Sequence, residues 1–238
     1  MAVASLPAKC DRLEPNSDHD TLSSMTFDLT VKLCGMTCEN DVDLAVSMGA
    51  DFIGFIVYPH SPRALTLKRA VELAERVPEG RRVIVDVETC ADALLRYRDA
   101  GFDHFQIHAA LPLDEQVLAG WSKTVGPERL WLAPRLPPHA AFPEWVLQHV
   151  NTILLDTYSK DQIGGTGHTG DFEHFATLKQ QFADTRWILA GGLNPSNVVA
   201  AIERSTASRI DVNSGIEHSP GQKDPNKLRE LFQVLELD

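Results

Sequence analysis

No run of lysine and arginine occurs anywhere in the chain, and the formal net charge is −11 over 238 residues. A nucleic-acid backbone is therefore excluded as an expected partner, although a few placed groups still suffice to bind a small anion. No stretch approaches the roughly 20 apolar residues needed to span a bilayer, so no membrane partner is expected. The first 25 residues, MAVASLPAKCDRLEPNSDHDTLSSM, lack the apolar segment of a secretory signal. Their Asp, Ser and Pro content reads as a mobile extension over residues 1–27, and the expected compartment is the cytoplasm. Cysteine is scarce: Cys10, Cys34, Cys38 and Cys90 form neither a CxxC pair nor a framework spacing. Reduced thiols are the default, and a zinc site is not expected. His60, His108 and His168 fall at or near strand ends or in loops and make no helical HxxxH or other compact metal-ligand set. No GxGxxG follows the first apolar run.

What is present is an alternation. Apolar runs rich in Val, Ile and Phe occur at 29–34, 51–57, 81–88, 103–108, 129–134, 151–156, 186–191 and 209–214. Segments of helical spacing lie between and after them, near 39–48, 67–77, 90–100, 113–124, 142–149, 171–183, 195–204 and 225–235. Asn194-Pro195 and Asp224-Pro225 place a capping side chain before a proline at the first helical position, and Thr89 is placed to cap the third helix. Gly49, Gly80 and Gly101 fall where helices should stop. Pro134, Pro137, Pro138 and Pro143 leave the fifth helix little room. Strands alternating with helices imply parallel pairing through right-handed crossovers. Eight such units predict a single (β/α)8 barrel over residues 28–238, in preference to an open doubly wound sheet.

In such a barrel the chemistry sits at the carboxyl ends of the strands. Cys34 ends the first run, in VKLCGMT, and Asp156 ends the sixth, in ILLDT. A buried thiol is ordinary packing in many cores. A carboxylate beside a core needs a partner or a purpose. Held across one mouth, the two make a possible base and acid. LAGGLNPSNV (189–198) and NSGIE (213–217) follow the seventh and eighth runs, where barrels commonly bind phosphate on backbone N–H groups. Gly191, Gly192, Ser214 and Gly215 are the candidate donors, with Asn213 beside them; the alternative is that these are tight turns only. Arg63, in SPR after the second run, is placed to clamp a carboxylate or phosphate, or else is a solvated surface arginine.

KLCGMT (32–37), GFIVYPHSPR (54–63), LLDT (154–157), GGTGHTGDF (164–172), LAGGLNPSNV (189–198) and DVNSGIE (211–217) resemble, in order, the signatures of the phosphoribosylanthranilate isomerase family. The resemblance implies a phosphate-binding (β/α)8 barrel of tryptophan biosynthesis. It implies the Amadori rearrangement of N-(5-phosphoribosyl)anthranilate to 1-(2-carboxyphenylamino)-1-deoxyribulose 5-phosphate, without cofactor or metal. Cys34 would be the general base, Asp156 the general acid and Arg63 the holder of the anthranilate carboxylate. Gly191, Gly192, Asn213, Ser214 and Gly215 would hold the phosphate. The expected partner is a small phosphorylated substrate, and the expected assembly a monomer or homodimer. A related barrel acting on another aminosugar phosphate, or a non-catalytic phosphate-ligand binder, is the alternative. Asp86 and Glu88 add acid in the third run, VIVDVE, where the family commonly has none, and His168 stands where it commonly has lysine.

Overall fold

The computed structural model describes residues 29–137, 140–156 and 171–237. The N-terminal extension and His168, with most of the GGTGHTGDF segment, lie outside the described residues. Eight parallel strands close into a barrel in chain order. They are β1 Thr30–Cys34, β2 Phe52–Ile56, β3 Arg82–Val87, β4 His104–Ala109, β5 Leu130–Pro134, β6 Thr152–Leu155, β7 Arg186–Leu189 and β8 Arg209–Val212. Helices α1 Glu39–Ser47, α2 Leu67–Ala74, α3 Ala91–Asp99, α4 Glu115–Val125, α5 Phe172–Gln181, α6 Val198–Ser205 and α7 Pro225–Val234 form the outer layer.

The period of two along each strand sorts the side chains into two cores. Val31 and Leu33 face the helices, whereas Cys34 faces the barrel interior with Val83, Val85, Trp131, Ala133, Leu154, Ile188 and Ala190. At the amino ends of the strands the interior is closed by Phe52, His104 and Trp131, whose ring centroids lie 4.9–5.1 Å apart. The opposite end is open.

Local chemistry fixes the outer layer. Asp224 accepts hydrogen bonds from the Asn226 and Lys227 N–H groups, with Pro225 at the first position of α7. Thr66, Asp114 and Asp171 cap α2, α4 and α5 in the same way. Gly49 and Gly101 follow α1 and α3 with φ of +83° and +90°. Two expected caps differ. Cys90, not Thr89, precedes α3, and it makes no side-chain cap bond; the Thr89 carbonyl instead accepts from Trp121 Nε1. Asn194 binds the Ser196 N–H in a local turn, so α6 starts only at Val198. Among its described residues, the proline-rich fifth connection forms one 3₁₀ segment, Glu144–Gln148. Phe142 packs there, its ring centroid 5.3 Å from that of Trp187 and 5.5 Å from that of Phe182.

After a 3₁₀ turn at Ser214–Ile216, β9 Glu217–Ser219 and β10 Gln222–Lys223 form a short antiparallel hairpin. It lies over the loop that follows β2, where Glu217 meets Arg63.

Candidate active site

The open end of the barrel holds a cavity of about 470 Å³. Cys34, Arg63, Asp156, Gly191, Gly192, Asn213 and Ser214 all line it. Gly215 is not on the wall; a Cβ there would run into the Leu193 carbonyl oxygen, so its lack of a side chain serves close packing of the β7 and β8 loops. Cys34 is the last residue of β1 and only 3% exposed. Gly35 turns the chain away with φ +74°; a Cβ on it would lie 2.6 Å from Asn213 Oδ1 and 2.7 Å from Arg63 Cδ. Asp156 is half-buried one residue beyond β6, on the other side of the barrel.

Charge is concentrated here. Lys32 precedes Cys34 by two residues and so shares its inward face. The register sets Lys32 opposite Asp211, and Lys32 Nζ donates to Asp211 Oδ1 at 2.8 Å. Burial opposes the Lys32 charge, but Asp211 and Cys34 outweigh it and raise the pKa. A second cluster closes the cavity's rim. Arg63 Nε and Nη2 donate to the two carboxylate oxygens of Glu217 at 2.8 and 2.6 Å. Lys223 Nζ donates to Glu217 Oε1 at 2.9 Å and to Asn213 Oδ1 at 3.0 Å. Burial alone would raise the Glu217 carboxyl; Arg63 and Lys223 outweigh it and hold it below the usual carboxylate range. Three buried cations, Lys32, Arg63 and Lys223, are thus paired with the buried carboxylates Asp211 and Glu217, beside a cavity that Asp156 also lines.

Burial is also the main influence on Cys34, pushing the thiol up, while Lys32 pulls it down. On β4, burial and the Lys32 charge push His108 down to about 4, so its imidazole is neutral at neutral pH. The Gln106 side-chain amide lies 2.9 Å from His108 Nε2. Gln106 Oε1 is buried and has no hydrogen-bond partner among the described residues. Among those residues no group of three or more His, Cys, Asp or Glu is placed to hold a metal ion.

A cavity flanked by buried ion pairs at the open end of a barrel, with a thiol on β1 and a carboxylate after β6, narrows the field without naming a family. The sequence profile of the N-(5'-phosphoribosyl)anthranilate isomerase family matches residues 31–234. This chain belongs to that family. The enzyme of that name from Aquifex aeolicus (strain VF5) is 35% identical over 207 residues, covering 85% of this chain and 96% of its own. Its counterpart from Geobacter sp. (strain M21) is 36% identical over 208 residues, 84% of this chain and 94% of its own. The solved phosphoribosyl anthranilate isomerase of Thermus thermophilus superimposes with a TM-score of 0.72 at 28% identity, over 87% of this chain and 98% of that one.

Within the isomerase frame, the acidic residues at the end of β3, Asp86 within it and Glu88 just past it, have structural partners. Asp86 accepts from Tyr97 Oη at 2.8 Å and from the Val87 N–H, and Glu88 accepts from the Ala110 N–H at 3.1 Å. The Arg63 fork, expected from sequence to face a ligand, is occupied by Glu217, because the β9–β10 hairpin brings that carboxylate over the cavity. Lys32, Gln106, Asp211, Glu217 and Lys223 were not singled out from sequence. For Lys32 a signal existed: a lysine two residues before Cys34 in an apolar strand must share its face. Glu217 and Lys223 gave none, since their meeting depends on the hairpin.

Proposed function

We propose that this cavity converts N-(5'-phosphoribosyl)anthranilate to 1-(2-carboxyphenylamino)-1-deoxyribulose 5-phosphate, an aldose–ketose isomerisation of L-tryptophan biosynthesis. The observation that carries the reading is the placement of Cys34 and Asp156 on the wall of one cavity, in a chain of this family. Asp156 gives its proton to the ring oxygen as the C1–O bond breaks, leaving an open-chain iminium. The positive nitrogen acidifies the C2 hydrogen, and the Cys34 thiolate takes it as a proton. The C–H electrons become the C1–C2 double bond, and the C–N π electrons return to nitrogen. The enolamine then gains a proton at C1 and loses one from the C2 hydroxyl, giving the ketone. Each positioned acid or base contributes on the order of 10²–10⁴-fold.

The substrate's two anions account for the rest of the pocket. The phosphate lies on the loops after β7 and β8, at Gly191, Gly192, Asn213 and Ser214. The anthranilate carboxylate meets the charge of Arg63, through the guanidinium Nη1 that lies outside the Glu217 fork. Gln106 and neutral His108 face the uncharged hydroxyls of the sugar. No helix among the described residues is long and apolar enough to cross a membrane, and we place the reaction in the cytoplasm, in a monomer or homodimer.

The test is loss of anthranilate-type fluorescence from freshly made substrate, with wild type beside Cys34→Ser and Asp156→Asn. Turnover in the wild type that is lost in both folded variants supports the assignment. Full turnover in Cys34→Ala removes the thiol from the mechanism. Binding of a non-reacting analogue of the product, its ketone reduced to an alcohol, without wild-type turnover points to another substrate.

A further inference from the structure

We propose that Lys32 is a positioning residue for Cys34: its buried ammonium, anchored on Asp211 and admitted by the missing side chain of Gly54, stabilises the thiolate that removes the sugar proton. The inference deepens the proposed isomerase reading and rests on Cys34 being its base.

Lysine is among the residues least often fully buried, and a buried ammonium requires a partner. Lys32 is 1% exposed and lies inside the barrel, not in the layer between sheet and helices. Asp211 supplies the partner across the β1–β8 seam. The position of the ammonium along the barrel is the second observation. A Cβ built on Gly54 would lie 2.9 Å from Cys34 Sγ and 3.1 Å from Lys32 Nζ. Thiol and ammonium therefore crowd the same point, and both reach it because β2 carries no side chain there. A lysine that only sealed the seam would need Asp211, but it would not need this opening beside the thiol.

Chemistry gives the arrangement a use. Only the thiolate can accept the C2 proton, and burial disfavours any anion. The charged groups around Cys34 come from several elements: Lys32 on β1, Asp211 on β8, Lys223 on β10 and Arg63 after β2. His108 on β4 is neutral at neutral pH, and Asp156 lies on the cavity wall. Of these, Lys32 pulls the thiol down most strongly, by charge and by hydrogen bond, and it outweighs the opposing charge of Asp211. During the transfer the S–H bond forms as the C2–H bond breaks, and the ammonium keeps its protons throughout. Lys32 thus acts through Cys34 and not on the substrate.

The experiment is alkylation of the full chain by iodoacetamide across a pH series, read by mass spectrometry on the Cys34 peptide so that Cys10, Cys38 and Cys90 do not contribute. Wild type is compared with Lys32→Met and with the double variant Lys32→Met/Asp211→Asn. The double variant leaves no unpaired buried carboxylate, so it tests the proposal even where Lys32→Met fails to fold. In both variants the alkylation profile is expected to move to higher pH, with a rate roughly tenfold or more lower at a fixed pH below the inflection. The pH at which kcat/KM rises should move with it. A folded variant whose Cys34 profile coincides with wild type, or moves to lower pH, overturns the proposal. Alkylation needs no turnover, so this result stands apart from the isomerase reading, which full activity of Cys34→Ala would defeat on its own.

Discussion

Arg63 and Glu217 form a two-pronged ion pair, with Nε–Oε1 at 2.8 Å and Nη2–Oε2 at 2.6 Å, and Lys223 shares Oε1 at 2.9 Å. The pair is buried, so removing one partner leaves uncompensated charge where water cannot screen it. Glu217→Gln is therefore expected to destabilise the fold by about 3–5 kcal/mol, as measured by urea unfolding at neutral pH. The deficit should shrink in acid. Arg63 and Lys223 hold the Glu217 pKa below its unfolded value, so its contribution is present above the ordinary carboxylate range and is lost as pH falls through the lowered value. A deficit that stays constant from neutral to strongly acidic pH would refute the linkage.

His108 carries a second acid-sensitive contribution. Its imidazole is pushed from 6.5 down to about 4 by burial and by Lys32. The unfolded chain then binds a proton that the folded chain refuses, so stability falls as pH drops below about 6.5 and keeps falling to about 4. The full loss from this one group is about 3 kcal/mol. His104, also lowered by burial, acts in the same direction. In His108→Gln the slope of unfolding free energy against pH should flatten across that window, as read from urea midpoints at several pH values.

The rate should carry the signature of a thiol protonated at rest. Burial outweighs the pull of Lys32 and leaves the Cys34 pKa raised. At neutral pH the unliganded site therefore holds mainly the thiol, and the reactive fraction grows with pH. kcat/KM is expected to rise with pH through the neutral range and level off only once the thiol ionises. A profile already flat at neutral pH would mean that Cys34 is a thiolate before substrate arrives.

The barrel was legible because each strand is an apolar run with its own boundaries, and a thiol or carboxylate at the end of such a run is visible as a departure. Cys34 and Asp156 were found that way. The pairing of Lys32 with Asp211 was not, because it depends on the register between the first and last strands, 179 residues apart. The Arg63–Glu217 pair was hidden for a different reason. Its geometry comes from a hairpin whose strands are three and two residues long, too short for propensity to register. The Thr89 cap failed because α3 starts one residue later, at Ala91 after Cys90, and that shift removes the bond.

Gly54 offers the most direct check on the interior geometry. It lies in the middle of β2, where glycine weakens a strand unless something must approach closely. Here three atoms do: Cys34 Sγ, Lys32 Nζ and Cys34 Cα lie 2.9, 3.1 and 3.2 Å from the Cβ that alanine would add. The lysine ammonium is the end of a flexible chain, but Asp211 holds it, and Cys34 Cα belongs to the neighbouring strand's backbone and cannot yield cheaply. Gly54→Ala should therefore lose about 1–3 kcal/mol by overpacking, despite the gain in strand propensity. It should also displace the thiol from its place on the cavity wall, so kcat should fall by more than KM rises. Thermal unfolding and steady-state kinetics on the same preparation decide it. A variant as stable and as fast as wild type would show that the space beside Cys34 is not tight, and that its nearness to Lys32 is incidental.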